Sequence, residues 1–441
     1  MSSQQADDRS AGPAEAPAAS VDRLVVIPHL GAGGAQRVAT LLLNRWQDNG
    51  IRCAVITLFP AQDAYRLHPD IEREDFIPGT DENDARDAVA RLYFQLEDKL
   101  ESDLSAGKRV KRAAADLGLI LMRTIRRVRA FILIHFFVEW VAQRSARVRR
   151  LRRRFTDMRP AVIISFLGAT NIQTLLAARG LGLKVVISER NDPALQQLDP
   201  PWEKLRPRVY PEADLVTANS AGALETMSRY VPRTKLRQVA NPLDIPPCPP
   251  GLDRHQHRLV AVARLVHQKG YDLLLDAFGR VAAQAPDWSL DVVGDGPLRA
   301  ELESRAERLG IADRVLFHGH VADPFPLLYQ ASVFVLPSRF EGMPNAMLEA
   351  MGCGLAIIVS DASPGPLELI RHEQTGLVVP GEDVSALAAA VTQAIQDKAL
   401  RERLADAALR ETERMHIDRV AADWERLISD VGAAPTAATA R

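Results

Sequence analysis

Apolar residues along this chain come in two spacings. Short unbroken runs rich in Val, Ile and Leu alternate with longer stretches whose apolar residues recur every three or four positions. RLVVIP (23–28), CAVITLF (53–59), AVIISFLG (161–168), KVVISE (184–189), ADLVTANS (213–220) and LRQVANP (236–242) are runs of the first kind. A run with no polar alternation is apolar on both faces. It predicts a strand of a parallel sheet covered by helices on both sides. Helices are expected from about Ala35 to Asp48 and from the end of the third run through Ala177.

The segment NPLDIPPCPPG (241–251) holds five prolines and a glycine in eleven residues and reads as a linker. A second alternation follows it: HRLVAVARL (257–265), LDVVG (290–294), VLFHG (315–319), VFVLPS (333–338), LAIIVS (355–360) and GLVVP (376–380). Helices over Val384–Gln396, Leu400–Arg414 and about Asp418–Ser429 close the chain. The expected fold is α/β, with two Rossmann-like doubly wound halves facing a cleft at the C-terminal ends of their strands. The domains read as 21–240, a hinge linker 241–256, a second domain 257–418 and a closing helix 419–433. Residues 1–20 and 434–441, polar and rich in Ala, read as disordered tails. The first twenty lack the basic start and apolar core of a signal peptide.

The chain has 441 residues, is 47% hydrophobic and 25% charged, and carries a formal net charge of -1, so no overall field announces a nucleic-acid partner. The three cysteines, Cys53, Cys248 and Cys353, make no metal or redox spacing, which fits a reducing compartment. The neutral total hides an imbalance. Between Lys108 and Arg159 stand sixteen Lys and Arg against three acids. That stretch is expected to be a basic helical insert over about 105–158. Its apolar core, Ala130–Ala142, has thirteen residues. As a helix it would be about 20 Å long, too short for the roughly 30 Å of hydrocarbon in a bilayer. The expectation is an amphipathic helix pair lying on an anionic membrane surface, anchored by Phe131, Phe136, Phe137 and Trp140. The competing reading is an arginine-rich surface over a buried helix.

Candidate chemistry sits at strand ends. Gly31–Gly34 reads GAGG between a strand and a helix, where glycine backbone and a helix N-terminus suit an anion. It also suits a turn that binds nothing. Arg264 follows a strand, with Lys269 and Gly270 five and six residues on. Two cations at a cleft mouth suit a diphosphate, or are solvated surface charges. FEGMPNAMLEAMGCG (340–354) places Glu341 in a loop and Glu349 inside a helix that Pro344 can begin. The free N–H groups near Met343, Asn345 and Ala346 are ready for phosphate oxygens. A carboxylate at Glu349 suits the paired hydroxyls of a ribose, and one at Glu341 suits another polyol. The plain alternative is a pair of helix-capping acids.

In order, Arg264…Lys269-Gly270, GDG (294–296), FHGHV (317–321), LPSRFEGMPNAMLEAMGCG and TGLVVPGED (375–383) resemble the donor half of the retaining GT-B glycosyltransferases of family 4, whose Glu-x7-Glu pattern the two acids match. LGAGGAQRVA (30–39), SFLGATNI (165–172) and ISERNDP (187–193) resemble bacterial enzymes of that family that extend lipid-linked or surface polysaccharides. The resemblance implies a nucleotide-sugar donor, most simply a UDP-sugar carrying a hexose or N-acetylhexosamine, and a glycan acceptor. It implies diphosphate binding by Arg264 and Lys269, and contacts to ribose from Glu349 and to the donor sugar from Glu341. Gly342, Met343, Pro344 and Asn345 would lie against the phosphates, as would Gly33 and Gly34 from the other domain. The base would rest near His320 and Val321. No metal or other cofactor is implied, and the enzyme is expected at the cytoplasmic face of the plasma membrane. Where many relatives carry an acceptor-side histidine, this chain has Glu189, Arg190 and Asn191. The rival functions are another sugar-nucleotide reaction on the same fold, such as epimerisation, and a non-catalytic binding subunit.

Overall fold

The computed structural model describes residues 21–76 and 145–433. The first domain is built on seven strands: β1 (Arg23–Ile27), β2 (Cys53–Thr57), β3 (Glu72–Asp75), β4 (Val162–Phe166), β5 (Lys184–Glu189), β6 (Leu215–Ala218) and β7 (Leu236–Gln238). They lie in the order β3-β2-β1-β4-β5-β6-β7, every pair parallel. The second domain has β8 (Arg258–Val262), β9 (Ser289–Val293), β10 (Val315–Gly319), β11 (Val333–Leu336), β12 (Ala356–Ser360) and β13 (Leu377–Val379), in the order β10-β9-β8-β11-β12-β13. These pairs are parallel too. Helices on both faces bury the unbroken apolar runs: every residue of β2, β4, β6, β11 and β12 is buried.

β3 escaped the hydrophobic pattern because its sequence is ERED. It is an edge strand, and its charged side chains, Glu72 exposed and the other three half-buried, suit an open backbone edge. Those acids have partners. The helix Ala146–Met158 buries Val148, Leu151, Phe155 and Met158 and turns Arg150 and Arg154 onto Glu74, with Arg154 also reaching Glu72. Arg152 donates to the carbonyls of Ala177 and Arg179, and the Arg147 and Arg150 guanidiniums lie over the Phe59 and Phe76 rings. The end of the basic segment therefore covers protein. The segment before Ser145, with Phe131, Phe136, Phe137 and Trp140, lies outside the described residues.

Two passages join the domains, and they run side by side. Leu243, in the linker, donates to the Met415 carbonyl at 2.8 Å, and Ile417 donates back to the Leu243 carbonyl at 3.0 Å. Having crossed back, the chain ends in the helix Ile417–Ala433, whose buried Val420, Trp424, Ile428 and Val431 form a stripe against the first domain. Trp424 meets Trp46 edge-on, ring centroids 6.2 Å apart. Trp424→Ala should therefore destabilise the first domain, to which the helix does not belong in sequence, by about 3–5 kcal/mol. Chemical denaturation followed by a probe in each domain tests this; a loss confined to the second domain would contradict the packing.

Candidate active site

The C-terminal ends of both sheets face one cleft of about 670 Å³. Its lining includes Gly33 and Gly34 from one domain, and Arg264, Lys269, His320, Val321, Glu341, Gly342, Met343, Pro344, Asn345 and Glu349 from the other. The sequence-predicted donor-side residues are thus brought together. Gly270 makes the turn between Lys269 and the helix Tyr271–Ala282 at φ 66°, and a Cβ there would lie 2.2 Å from the Pro337 carbonyl oxygen. Only glycine fits both demands.

The two acids are held quite differently. Lys269 donates from Nζ to both oxygens of Glu341, at 2.6 and 2.8 Å. The Ser338 hydroxyl donates to the same carboxylate at 2.6 Å, and the Glu341 N–H donates to Ser363 Oγ at 2.7 Å. Glu341 is therefore a fixed carboxylate lining the cleft, with three bonds accepted and room on Oε2 for one more. Arg264 is exposed at the cleft and enters none of these bonds. Pro344 is the N-cap, and the helix runs Asn345–Gly352.

Glu349 lies in that helix among Met347, Leu348, Ala350 and Met351, and is 4% exposed. Its partner is Arg37, from the opposite domain: Arg37 Nε lies 2.6 Å from Glu349 Oε1. The guanidinium sits 5.5 Å from the Tyr65 ring of the first domain and 5.5 Å from the Phe325 ring of the second. Beside it, Asn345 donates to the Gly34 carbonyl across the cleft at 3.0 Å, and Asn241 of the linker donates to Asn345 Oδ1 and to the Met343 carbonyl. Burial pushes the Glu349 carboxyl up to about 7, and Arg37 pulls the other way.

On the first-domain side the three candidates separate. Glu189 is buried and accepts from the Tyr210 hydroxyl at 2.6 Å; burial raises its pKa. Arg190 is buried at the cleft wall and donates to Asn241 Oδ1 at 3.2 Å, while its Nε and Nη2 make no hydrogen bond among the described residues. Burial lowers its pKa to about 9. Asn191 lines the cleft.

Arg37, Asn241 and Ser338 were not anticipated from sequence. One signal for Arg37 was present: it is a cation in the first turn of the helix Gly34–Asp48, which has no acid there, and a helix N-terminus disfavours positive charge. Such a cation needs a carboxylate from elsewhere. Among the described residues no group of three or more His, Cys, Asp or Glu is placed to hold a metal ion, and no helix is long and apolar enough to cross a membrane.

Comparison with known proteins follows this geometry. Residues 249–411 match the family model "Glycosyl transferases group 1", and residues 32–246 match "Glycosyltransferase Family 4". The chain is 29% identical over 296 residues to the "GalNAc-alpha-(1->4)-GalNAc-alpha-(1->3)-diNAcBac-PP-undecaprenol alpha-1,4-N-acetyl-D-galactosaminyltransferase" of Campylobacter jejuni, covering 66% of this chain and 80% of that one. A second Campylobacter jejuni protein, "N-acetylgalactosamine-N,N'-diacetylbacillosaminyl-diphospho-undecaprenol 4-alpha-N-acetylgalactosaminyltransferase", is 25% identical over 54% of this chain and 67% of its own. The crystal structure of Anabaena Alr3699/HepE in complex with UDP and glucose superposes with a TM-score of 0.70 at 17% identity, covering 93% of this chain and 99% of that one. The architecture is that of GT-B glycosyltransferases.

The buried Glu349 has a consequence for stability. Its usual value is 4.5, so between about pH 4.5 and 7 the folded chain holds a proton that the unfolded chain has released. The contribution of this group is then greatest below about pH 4.5 and is lost as pH rises through 7. Tyr65 and Cys353 also face it, and Arg37 is its one cationic neighbour named above. The melting temperature of wild type relative to Glu349→Gln should fall across that window, and Arg37→Gln should extend the fall above pH 7. Parallel curves for all three proteins would remove Glu349 as the titrating group.

Proposed function

We propose, from the premise that this chain belongs to the glycosyltransferases of group 1 and family 4, that it is a retaining enzyme moving a hexose or N-acetylhexosamine from a UDP-sugar to a lipid-linked or surface-polysaccharide glycan. The observation that carries this reading is the cleft itself. One wall gathers two cations, two buried carboxylates and the start of a helix, and the other offers the Gly33-Gly34 backbone. The names of the relatives, with their undecaprenol-linked substrates, support the acceptor class. The likeness to a UDP-bound structure supports the fold alone.

In this reading Arg264 and Lys269 hold the donor diphosphate. Lys269 spends two donors on Glu341, which leaves its third N–H for a phosphate oxygen. The N–H groups around Met343 to Ala346, with Gly33 and Gly34 opposite, complete the cradle. Glu349 accepts the ribose hydroxyls, taking them in exchange for, or alongside, Arg37. Glu341 accepts from the donor sugar, and the base lies by His320 and Val321. As the bond from the anomeric carbon to the phosphate oxygen breaks, its electron pair goes to the diphosphate, and stabilising that charge is the main catalytic effect. The acceptor hydroxyl bonds to the same face and gives its proton to the departing phosphate. The protein cations and the helix terminus neutralise the leaving group, so no divalent metal is required.

Lys269→Ala and Arg264→Ala should each slow UDP-sugar turnover by about 100- to 1,000-fold, the usual cost of one oxyanion contact. A screen of UDP- and GDP-sugars with and without acceptor, run in EDTA, gives the readout alongside melting temperature. Folded variants with near-normal turnover would exclude these cations, and loss of wild-type turnover in EDTA would exclude the metal-free reading.

The basic segment is assigned to the cytoplasmic membrane surface, where it would bring the cleft to a lipid-linked acceptor. Because Arg150 and Arg154 are committed to Glu74, reversing them would damage the fold. Arg123, Arg126, Arg127 and Arg129 are the better probes. Flotation with vesicles containing anionic lipid should succeed at low salt, weaken as salt rises, and fail when these four become Glu, since each basic residue near such a surface adds about 1 kcal/mol. Wild type left in the soluble fraction at low salt would refute membrane docking.

A further inference from the structure

Arg190 stands just past the end of β5, in the wall of the cleft, and is 5% exposed. The sides of its guanidinium have different fates. One face lies over the Phe166 ring, 5.5 Å from its centroid. Nη1 donates to Asn241 Oδ1 at 3.2 Å. Nε and Nη2, which share the remaining edge, make no hydrogen bond among the described residues. That edge presents two parallel N–H donors, the pair that matches two oxygens of one anion. We infer that Arg190 is a third cation for the donor, supplied by the first domain, whose free edge binds the phosphate that carries the sugar; the inference rests on the reading that the donor is a sugar joined to a nucleoside diphosphate.

A buried cation that lacks a bonded counter-charge is costly to keep. Burial lowers the Arg190 pKa to about 9, so it still carries its charge at neutral pH, and the neighbouring Glu189 works in the opposite direction. Glu189 does not complete the guanidinium, however. Its carboxylate accepts from the Tyr210 hydroxyl, and Arg206 is its strongest favourable charge. An anion in the cleft supplies both the missing charge and the missing acceptors. Nε and Nη2 are out of contact with water, so their bonds to an anion form in a dry setting, where such bonds are strongest. A small swing of the side chain in the cleft wall brings the edge to the ligand. Arg264, by contrast, is exposed, and water can serve it.

The neighbours of Arg190 fix its place along the donor. A Cβ on Gly342 would lie 2.8 Å from the Arg190 carbonyl oxygen, so the Arg190 backbone packs against the residue that follows Glu341. Asn241, which holds Nη1, also donates to the Met343 carbonyl and to Asn345 Oδ1 at the helix start. Glu349, assigned to the ribose, lies further along that helix. Arg190 is therefore at the sugar end of the donor, beside the β-phosphate. As the bond from the anomeric carbon to the β-phosphate oxygen breaks, its electron pair stays on the phosphate, and two Arg190 N–H groups meet the growing charge. Arg190 stays protonated throughout. The proton of the acceptor hydroxyl goes to the phosphate.

The test uses the whole chain, with UMP and UDP affinities from calorimetry, turnover of the UDP-sugar that the donor screen selects, and melting temperature. Arg190→Gln should weaken UDP by about 10- to 100-fold, the usual range for a hydrogen bond between charged groups. It should leave UMP, which lacks the β-phosphate, as tightly bound as before. Turnover should fall by about 100- to 1,000-fold. Arg190→Lys keeps a cation without the paired edge, so it should lose less of both, and it carries the comparison if Arg190→Gln does not fold. Equal loss of UMP and UDP affinity in folded variants overturns the inference, since Arg190 then only supports the cleft wall. Unchanged UDP affinity with a weakened UDP-sugar overturns it too, because the edge then meets a sugar oxygen. So does a wild-type preference for UDP-glucuronate over UDP-glucose that Arg190→Gln abolishes, which seats a carboxylate on the edge. Wild type that binds neither UDP nor UMP removes the donor reading itself, and this inference with it.

Discussion

A carboxylate that is only 4% exposed pays heavily for its charge, and Glu349 lowers that cost with a cation from the opposite domain. The Arg37–Glu349 pair is therefore a constraint on the whole molecule, because it couples the ionisation of a cleft residue to the distance between two domains. Around it the other cross-cleft bonds fall into place: Asn345 reaches the Gly34 carbonyl, and Asn241, at the start of the linker, holds Asn345 and the Met343 carbonyl. The closed arrangement keeps the buried carboxylate supplied with a counter-charge. Opening the cleft would strand both partners, so a ligand entering there must offer Glu349 something in return. Two hydroxyl donors on adjacent carbons can do that; a purely apolar ligand cannot.

Glu341 answers the same problem locally. Its partners, Lys269, Ser338 and Ser363, all belong to its own domain, so it stays bonded whatever the other domain does. The two acids of one motif thus have different dependences on domain closure. Lys269 is shared between Glu341 and the open cleft, which in the proposed reading ties the cation at the diphosphate to the acid at the sugar. A phosphate arriving at Lys269 adds a third bond to it and leaves the carboxylate where it was.

Much of this was legible in the sequence because the signals were physical and local. Unbroken apolar runs gave twelve of the thirteen strands, and β5, β10 and the helix Val384–Gln396 fall on the expected residues. β3 was not legible, since ERED carries its information in charge complementarity with arginines some eighty residues away. The residues named for the donor side line one cleft, their positions being set by a strand end, a glycine turn and a helix start, each encoded within a few residues. Arg37 and Asn241 act through partners in the other half of the chain, and no local pattern announces such partners. Glu189 shows the converse: it is the last residue of β5 and is held by Tyr210, whereas Arg190 and Asn191, beyond the strand, line the cleft.

The basic segment shows how a charge count and a charged surface differ. Sixteen cations against three acids suggest a strong field. In the helix Ala146–Met158, however, Arg147, Arg150, Arg152 and Arg154 are distributed among acids, carbonyls and aromatic rings of the first domain. The acids of β3 lie more than seventy residues upstream and contribute nothing to a local count, yet they cancel part of it in space. A cation held by a neighbouring carboxylate gives little attraction beyond a Debye length of roughly 10 Å. Arg153, exposed on the same helix, enters none of these pairs, so the charge of the segment is reduced in space and not cancelled.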